Sequence, residues 1–349
     1  MTSTRDDKLT STKTSPPEQF SLEHTGEPLR LRFFAILQSR SAGVIAALAI
    51  LIILGSFLSD GFLDGANLLN VGQQISLVGI MAVGMTFLII TGEIDLSVGA
   101  IYALSSVITG LAITSGVSWP IAVLLGVVVG GLCGLVNGAL TVYLNLPSFI
   151  VTLGTLSIFR GVMLLTTGGS PISLDSSLPE VASFAVLGSA RPFGVPIQLI
   201  LFTTIAVIGG LVLAFARFGF HVYGVGGSRE SARLTGVRTD AVRLAAFCIT
   251  GALSGIAGIV GLAFLLYVQG TSGTGLELLV ITAVIVGGTA LFGGSGTILG
   301  TVAGVALIGV LQNVLILGGV SSFVQTIVVG AVIIIAVALD TRLRRRRRT

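Results

Sequence analysis

Uncharged apolar runs of 18 residues or more, broken mainly by glycine, recur along the whole chain and leave it few ways to fold. A run of that length is what a helix needs to cross the hydrocarbon core of a bilayer. Strands of a membrane barrel alternate apolar and polar residues; these runs do not, so the spans read as helices. Only 10% of the residues are charged, against about 25% in a soluble domain. The 48 glycines fit helices that approach closely through small residues. The expected fold class is all-α, a polytopic transmembrane helical bundle of about ten spans. These are placed at 42–58, 73–91, 97–115, 119–143, 148–167, 197–216, 242–267, 276–292, 297–317 and 321–340.

Charge orients the bundle. Of 19 Lys and Arg residues, six lie in 1–40, five in 217–243 and six in 342–348. An even number of spans puts all three segments on one face, which the positive-inside rule makes cytosolic, so both termini are expected inside. Residues 1–35 are polar, contain Pro16-Pro17 and lack the apolar core of a signal peptide, so they read as a disordered cytosolic tail. Residues 36–341 form the membrane domain, with a cytosolic loop at 217–243. Residues 342–349 form a basic cytosolic tail, an anchor on anionic membrane lipid rather than a nucleic-acid site.

A weak internal repeat is visible. Ser148-Phe149-Ile150-Val151-Thr152 is echoed by Ser322-Phe323-Val324-Gln325-Thr326, and Val83-Gly84-Met85-Thr86 by Val286-Gly287-Gly288-Thr289. Two related half-bundles around a pathway would produce this pattern. Glycines at 126, 130, 134 and 138, and at 296, 300 and 304, recur every four residues and read as close-packed helix faces. Cys133 and Cys248 fall inside spans and read as core packing. His24 and His221 have no Cys or carboxylate cluster around them, so no metal site is expected.

Polar residues among the apolar runs are the candidates for a substrate pathway: Glu93, Asp95, Ser97, Asn137, Arg160, Gln312 and Asn313. In Gly92-Glu93-Ile94-Asp95-Leu96-Ser97-Val98-Gly99 two carboxylates sit between apolar runs. Two readings stand: a cytosolic turn with solvated acids, or a helix break inside the bundle whose polar groups line the pathway. Amides such as Asn137, Gln312 and Asn313 suit a hydroxylated neutral solute, since each offers donor and acceptor. They equally suit bonds between helices. Arg160 within the fifth span must face a carboxylate, carbonyls or water, and Asp95 and Glu93 are candidate partners.

Enzymatic motifs fail on inspection. Gly293-Gly294-Ser295-Gly296-Thr297 lacks the lysine of a phosphate loop. Gly224-Val225-Gly226-Gly227 lacks the last glycine of a dinucleotide fingerprint. The chain reads as a non-enzyme with no cofactor of its own. In the central loop, Glu230 to Gly236 reads as a short helix entered from Ser228 and ended at Gly236, a rigid handle joined to two spans. A solvated connector whose arginines merely fix topology is the competing reading. Arg217 and Arg243 read as anchors at the membrane surface.

The stretch Gly224 to Val237, GVGGSRESARLTGV, resembles the cytosolic segment of ribose-type permease subunits of ATP-binding-cassette importers, in the branched-chain amino acid/ribose permease superfamily. Gly92 to Gly99 is similar to that family's G-x-I-D-L-S-V-G segment. Phe159-Arg160-Gly161 with Gly169-Ser170-Pro171, Gly273 to Glu277, and Gly287-Gly288-Thr289 through Gly293 to Gly296 agree as well. The resemblance covers residues 70 to 340. Ser231 departs from it, standing where alanine is common.

What the resemblance implies is a transport subunit of the bacterial inner membrane, paired with a second copy or a paralogue. An ATPase subunit would bind and hydrolyse ATP on the cytosolic side, and an extracytoplasmic sugar-binding protein would deliver a monosaccharide. The ATPase-coupling residues would be Gly224, Gly226, Gly227, Arg229, Glu230, Ala232 and Gly236. The alternative is a secondary transporter coupled to a proton or sodium ion at Glu93, Asp95 or Glu277.

Overall fold

The computed structural model describes residues 40–346; the tail expected at 1–35 and the last three residues of the basic tail at 342–349 lie outside them. The described chain is all-helical apart from two two-residue strands. In order come α1 (Arg40–Leu58), α2 (Gly65–Ile90), α3 (Val98–Thr114), α4 (Trp119–Tyr143), α5 (Ser148–Thr167), β1 (Ile172–Ser173), α6 (Pro179–Ser189) and α7 (Ile197–Phe215). They are followed by α8 (Arg217–Gly227), α9 (Arg229–Leu234), α10 (Thr239–Leu265), β2 (Tyr267–Val268), α11 (Leu276–Val286), α12 (Ile298–Leu317) and α13 (Ser322–Arg346). Among the described residues, α2, α4, α5, α7, α10 and α12 are long and apolar enough to cross a membrane. The other four expected spans fall on shorter apolar stretches at 43–58, 98–114, 276–286 and 322–332.

Proline and small polar residues start many of these helices. Pro147 precedes α5, Pro196 precedes α7, and the Thr297 hydroxyl accepts from the Gly300 N–H to cap α12. Gly168, left-handed at φ 59°, ends α5.

The bundle is built on α10, which packs against α4, α2 and α3. The α4–α10 contact needs glycine: a Cβ on Gly130 would lie 2.6 Å from the Gly251 carbonyl, and one on Gly134 would strike that of Phe247. The four-residue spacing in α4 therefore marks a backbone-to-backbone seam. Gly304 of α12 meets Ala283 of α11 in the same manner. Residues 80–90 of α2 and 98–104 of α3 are almost wholly buried within this core. Cys133 is buried and Cys248 half-buried, both unbridged.

Four features differ from the sequence expectation. Helix α2 begins at Gly65 rather than near residue 73, because its first turns carry the amides Asn67 and Asn70, which lie outside the apolar run. The segment between α5 and α7 carries the extra helix α6, whose Gly188 lies on Ala263 and Phe264 of α10. The segment 217–243 begins with the helix α8. The run expected at 276–292 is helical only to Val286, and 287–297 is irregular where left-handed glycines interrupt it.

Candidate functional site

Three of the sequence segments singled out above meet at one end of the bundle. Helix α8 buries Val222 and Val225 and leaves His221 exposed. At Ser228 the chain turns into α9, whose cap is the Ser228 hydroxyl accepting from the Ser231 N–H at 3.2 Å. Gly236, at φ 86°, ends the turn in a conformation that disfavours any side chain. Ala232 is buried and fastens α9 to the bundle. Glu230, Arg233 and Leu234 project outward, Leu234 being 83% exposed.

Helix α8 rests on the break between α2 and α3 and on the irregular segment after α11. A Cβ on Gly226 would collide with the Ile90 carbonyl and sit 2.6 Å from the Gly294 N–H. The Gly294 N–H itself donates to the Ile90 carbonyl at 2.9 Å. The Tyr223 hydroxyl donates to the Gly296 carbonyl at 2.6 Å. Gly224 and Gly227, by contrast, face open space. Only Gly226 of the three is required by a contact.

Electrostatics tie the same pieces together. Glu93, 4% exposed, lies in the helix break. Its Oε1 accepts from Arg229 Nη2 at 2.5 Å and from Arg243 Nε at 2.9 Å, with Arg243 Nη2 at 2.7 Å. A buried carboxylate needs such partners, because removing it from water unpaired is very costly. Asp240 extends the cluster, 3.6 Å from Arg233 and 3.7 Å from Arg243. A cavity of about 560 Å³ opens between these side chains and Tyr143 and Asn145 at the end of α4. Arg243 was expected to be a surface anchor and is instead 7% exposed and bonded to Glu93. Its place in the first turn or so of a span made it look like a topology marker; only the tertiary fold shows its partner.

Asp95 is fully buried in the same break. Its Oδ1 accepts from the Ser97 N–H at 2.7 Å and the Ser97 hydroxyl at 2.6 Å, and its Oδ2 from Asn137 Nδ2 at 3.0 Å. Asn137 Nδ2 also reaches the Ser97 hydroxyl oxygen at 2.8 Å. The structure therefore brings Asp95, Ser97 and Asn137 into one knot joining the break to α4. The reading of Glu93 and Asp95 as solvated acids in a surface turn is overturned by their burial. The break inside the bundle is what remains.

The other candidate residues lie elsewhere. Arg160 reaches neither Asp95 nor Glu93: its Nη1 donates to the carbonyls of Gly270 (2.8 Å) and Ser272 (2.6 Å), and its Nη2 to the Thr274 hydroxyl (3.2 Å). It pins the turn between β2 and α11, and that turn lies against Gly99 through Gly273 and Glu277. Asn313 exchanges two amide hydrogen bonds with Asn67 of α2, at 3.1 and 2.9 Å, far from the α8–α9 end. Gln312 lines a small pocket with Gln74 of α2. Among the described residues no cluster of His, Cys, Asp and Glu could hold a metal ion.

Comparison with known proteins places these features in a family. Residues 67–337 match the model of the branched-chain amino acid transport system / permease component. The chain is similar to the ribose import permease protein RbsC of Bacillus subtilis, 40% identical over 90% of this chain and 97% of the relative. RbsC of Escherichia coli K12 is 38% identical over 85% and 92%. The autoinducer 2 import system permease protein LsrC of Shigella flexneri is 34% identical over 88% and 89%. No solved structure matches the chain.

Proposed function

The chain belongs to the family of branched-chain amino acid transport system permease components, and on that premise we propose that it is the membrane subunit of a sugar importer of the ATP-binding-cassette class. In this reading a separate ATPase subunit supplies the energy, an extracytoplasmic sugar-binding protein delivers the solute, and a second copy or paralogue of the chain completes the pathway. The solute is a monosaccharide or sugar-like molecule, as the names of the ribose and autoinducer 2 relatives suggest. The chain binds no cofactor; ATP stays on the partner.

The observation that carries the proposal is the mechanical connection of α9. Its side chains Glu230 and Leu234 are exposed to a partner, as is Arg233 beyond its 3.6 Å contact with Asp240. Its Arg229 is bonded to Glu93 in the α2–α3 break, and the preceding helix rests on the α11–α12 segment. A push on α9 is thereby delivered to two helix breaks as well as to α7 and α10. A ligand-driven change of state requires a contact that differs between the two states, and ATP-bound and ATP-free partners supply that difference at α9.

The finer topology belongs to the same proposal. Ten membrane-inserted segments place both termini and the α8–α9 end in the cytosol of a bacterium, within its inner membrane. The basic residues of 342–349 lie there on anionic lipid, and the echoed segments mark two half-bundles. Ion coupling at Glu93 or Asp95 fits less well, since Glu93 is held by two arginines and Asp95 by Ser97 and Asn137.

Uptake of radiolabelled monosaccharides into proteoliposomes containing the chain, its ATPase and its binding protein tests the proposal. Uptake that requires enclosed ATP, ignores an uncoupler and is lost in Glu230→Arg or Gly236→Pro is the expected result. Uptake by the chain alone that an uncoupler abolishes would contradict it.

A further inference from the structure

The pocket beside Gln312 has a composition unlike that of a helix seam. It lies between α2, α3, α11 and α12 and holds about 220 Å³. Two amides enter it, Gln74 from α2 and Gln312 from α12, and neither has a hydrogen-bond partner among the described residues. Its remaining wall is apolar: Leu276 and Leu279 of α11, Ile308 of α12 and the Tyr102 ring of α3. Among the described residues no Asp, Glu, Lys or Arg side chain lines it.

The pocket lies inward from the ends of both helices that carry its amides. Gln74 is nine residues into α2, about 14 Å from its Gly65 end, and Gln312 is five residues, about 8 Å, from the Leu317 end of α12. The Asn67–Asn313 pair shows that these two ends meet. Gln74 is exposed and Gln312 half-buried, so the two amides border open space rather than a packed seam, within reach of water or a polar ligand. Water has a route. A second cavity of about 400 Å³ adjoins the pocket at Gln74 and Leu77 and extends to Arg191 and Leu265 at the end of the bundle opposite α8–α9.

We infer that the pocket between α2, α3, α11 and α12 binds one neutral polyhydroxylated molecule of monosaccharide size, with the amides of Gln74 and Gln312 on its hydroxyls. Each amide offers a donor and an acceptor, which is what a hydroxyl group needs. The apolar wall and the Tyr102 ring cover the C–H faces of such a molecule. The volume is room for about seven waters at about 30 Å³ each, the bulk of one sugar ring and too little for two. The absence of ionisable side chains selects against charged solutes, since an unpaired charge there would stay uncompensated. This assignment rests on the importer reading and adds the solute's place in the outer half of the pathway.

The test uses the full chain with both cysteines replaced (Cys133→Ala, Cys248→Ala) and a single new cysteine, Gln74→Cys or Gln312→Cys. Leu124→Cys, on an exposed apolar face of α4, serves as the lipid-facing control. A membrane-impermeant maleimide is added outside intact spheroplasts, with ribose, xylose, autoinducer 2 or sucrose at millimolar concentration. Both pocket cysteines should be labelled, the control should not, and at least one monosaccharide-sized solute should slow labelling where sucrose does not. Labelling no greater than the control's, or labelling that no small solute slows, overturns the inference. In parallel, Gln74→Leu and Gln312→Leu together should raise the KM of uptake by about tenfold or more, the loss of one to two net hydrogen bonds. An unchanged KM with normal wild-type uptake sinks the pocket and leaves the importer standing; no sugar uptake by the wild-type complex sinks the importer reading itself.

Discussion

At the scale of single residues, Glu93 is the carboxylate on which Arg229 and Arg243 converge. Its two arginines are not equivalent. Arg243 and Glu93 are both buried, whereas the Arg229 side chain is 48% exposed. Arg243→Met should therefore cost on the order of 3 kcal/mol by stranding part of a buried charge. Arg229→Met, a half-solvated pair, should cost about 1 kcal/mol or less. Thermal midpoints in detergent read the difference, with Arg243→Met falling clearly and Arg229→Met close to wild type. Equal losses would mean that the two arginines are interchangeable props. Asp95, the other acid of the break, holds the Ser97 turn against Asn137.

At the scale of elements, the α8–α9 pair is, in the proposed mechanism, a lever resting at Gly226, where α8 packs on Ile90 and Gly294. Gly226→Ala should push α8 off Ile90 and Gly294 and abolish transport, because the added carbon meets backbone that cannot swing aside. Gly224→Ala, with nothing within 4 Å, should leave transport intact and gain about 0.5–1 kcal/mol of helix stability. Uptake assays on the two variants separate a contact from mere glycine richness. Much of this element was legible beforehand. Ser228 and Gly236 announced the ends of α9, and four-residue glycine spacing announced the α4 seam. What a linear reading could not supply was partnership. Nothing near Arg243 in the chain names Glu93, 150 residues away, and nothing near Arg160 names the 270–274 turn. The amides that open α2 hid its first turns, since their reason for being there is Asn313 on another helix. Local signals locate caps and seams, while pairing across the bundle depends on the whole fold.

At the scale of the whole molecule, the two ends of the bundle differ in make-up. One end gathers the α2–α3 break, the α8–α9 lever and the α11–α12 segment into an ionic, tightly packed junction. The other end carries the amides of α2 and α12 and two largely apolar cavities that those amides enter. The composition and the charge distribution led to an all-helical membrane protein, and the helices agree with it. Cysteine scanning of the inserted segments tests the ten-segment topology. Positions in α9 should react with an impermeant reagent only in inverted vesicles, and positions near Arg191 only in intact spheroplasts. Reaction of both sets from the same side would rule that topology out.

Transmission of the lever's motion through Glu93 is tested most directly by measuring ATP hydrolysis and sugar uptake together. The reconstituted complex would carry either the wild-type chain or Glu93→Gln. Coupling through Glu93 predicts that hydrolysis stays within about twofold of wild type while uptake falls by about tenfold or more, in the range of ordinary coupling energies. Uptake that keeps pace with hydrolysis in Glu93→Gln would contradict it.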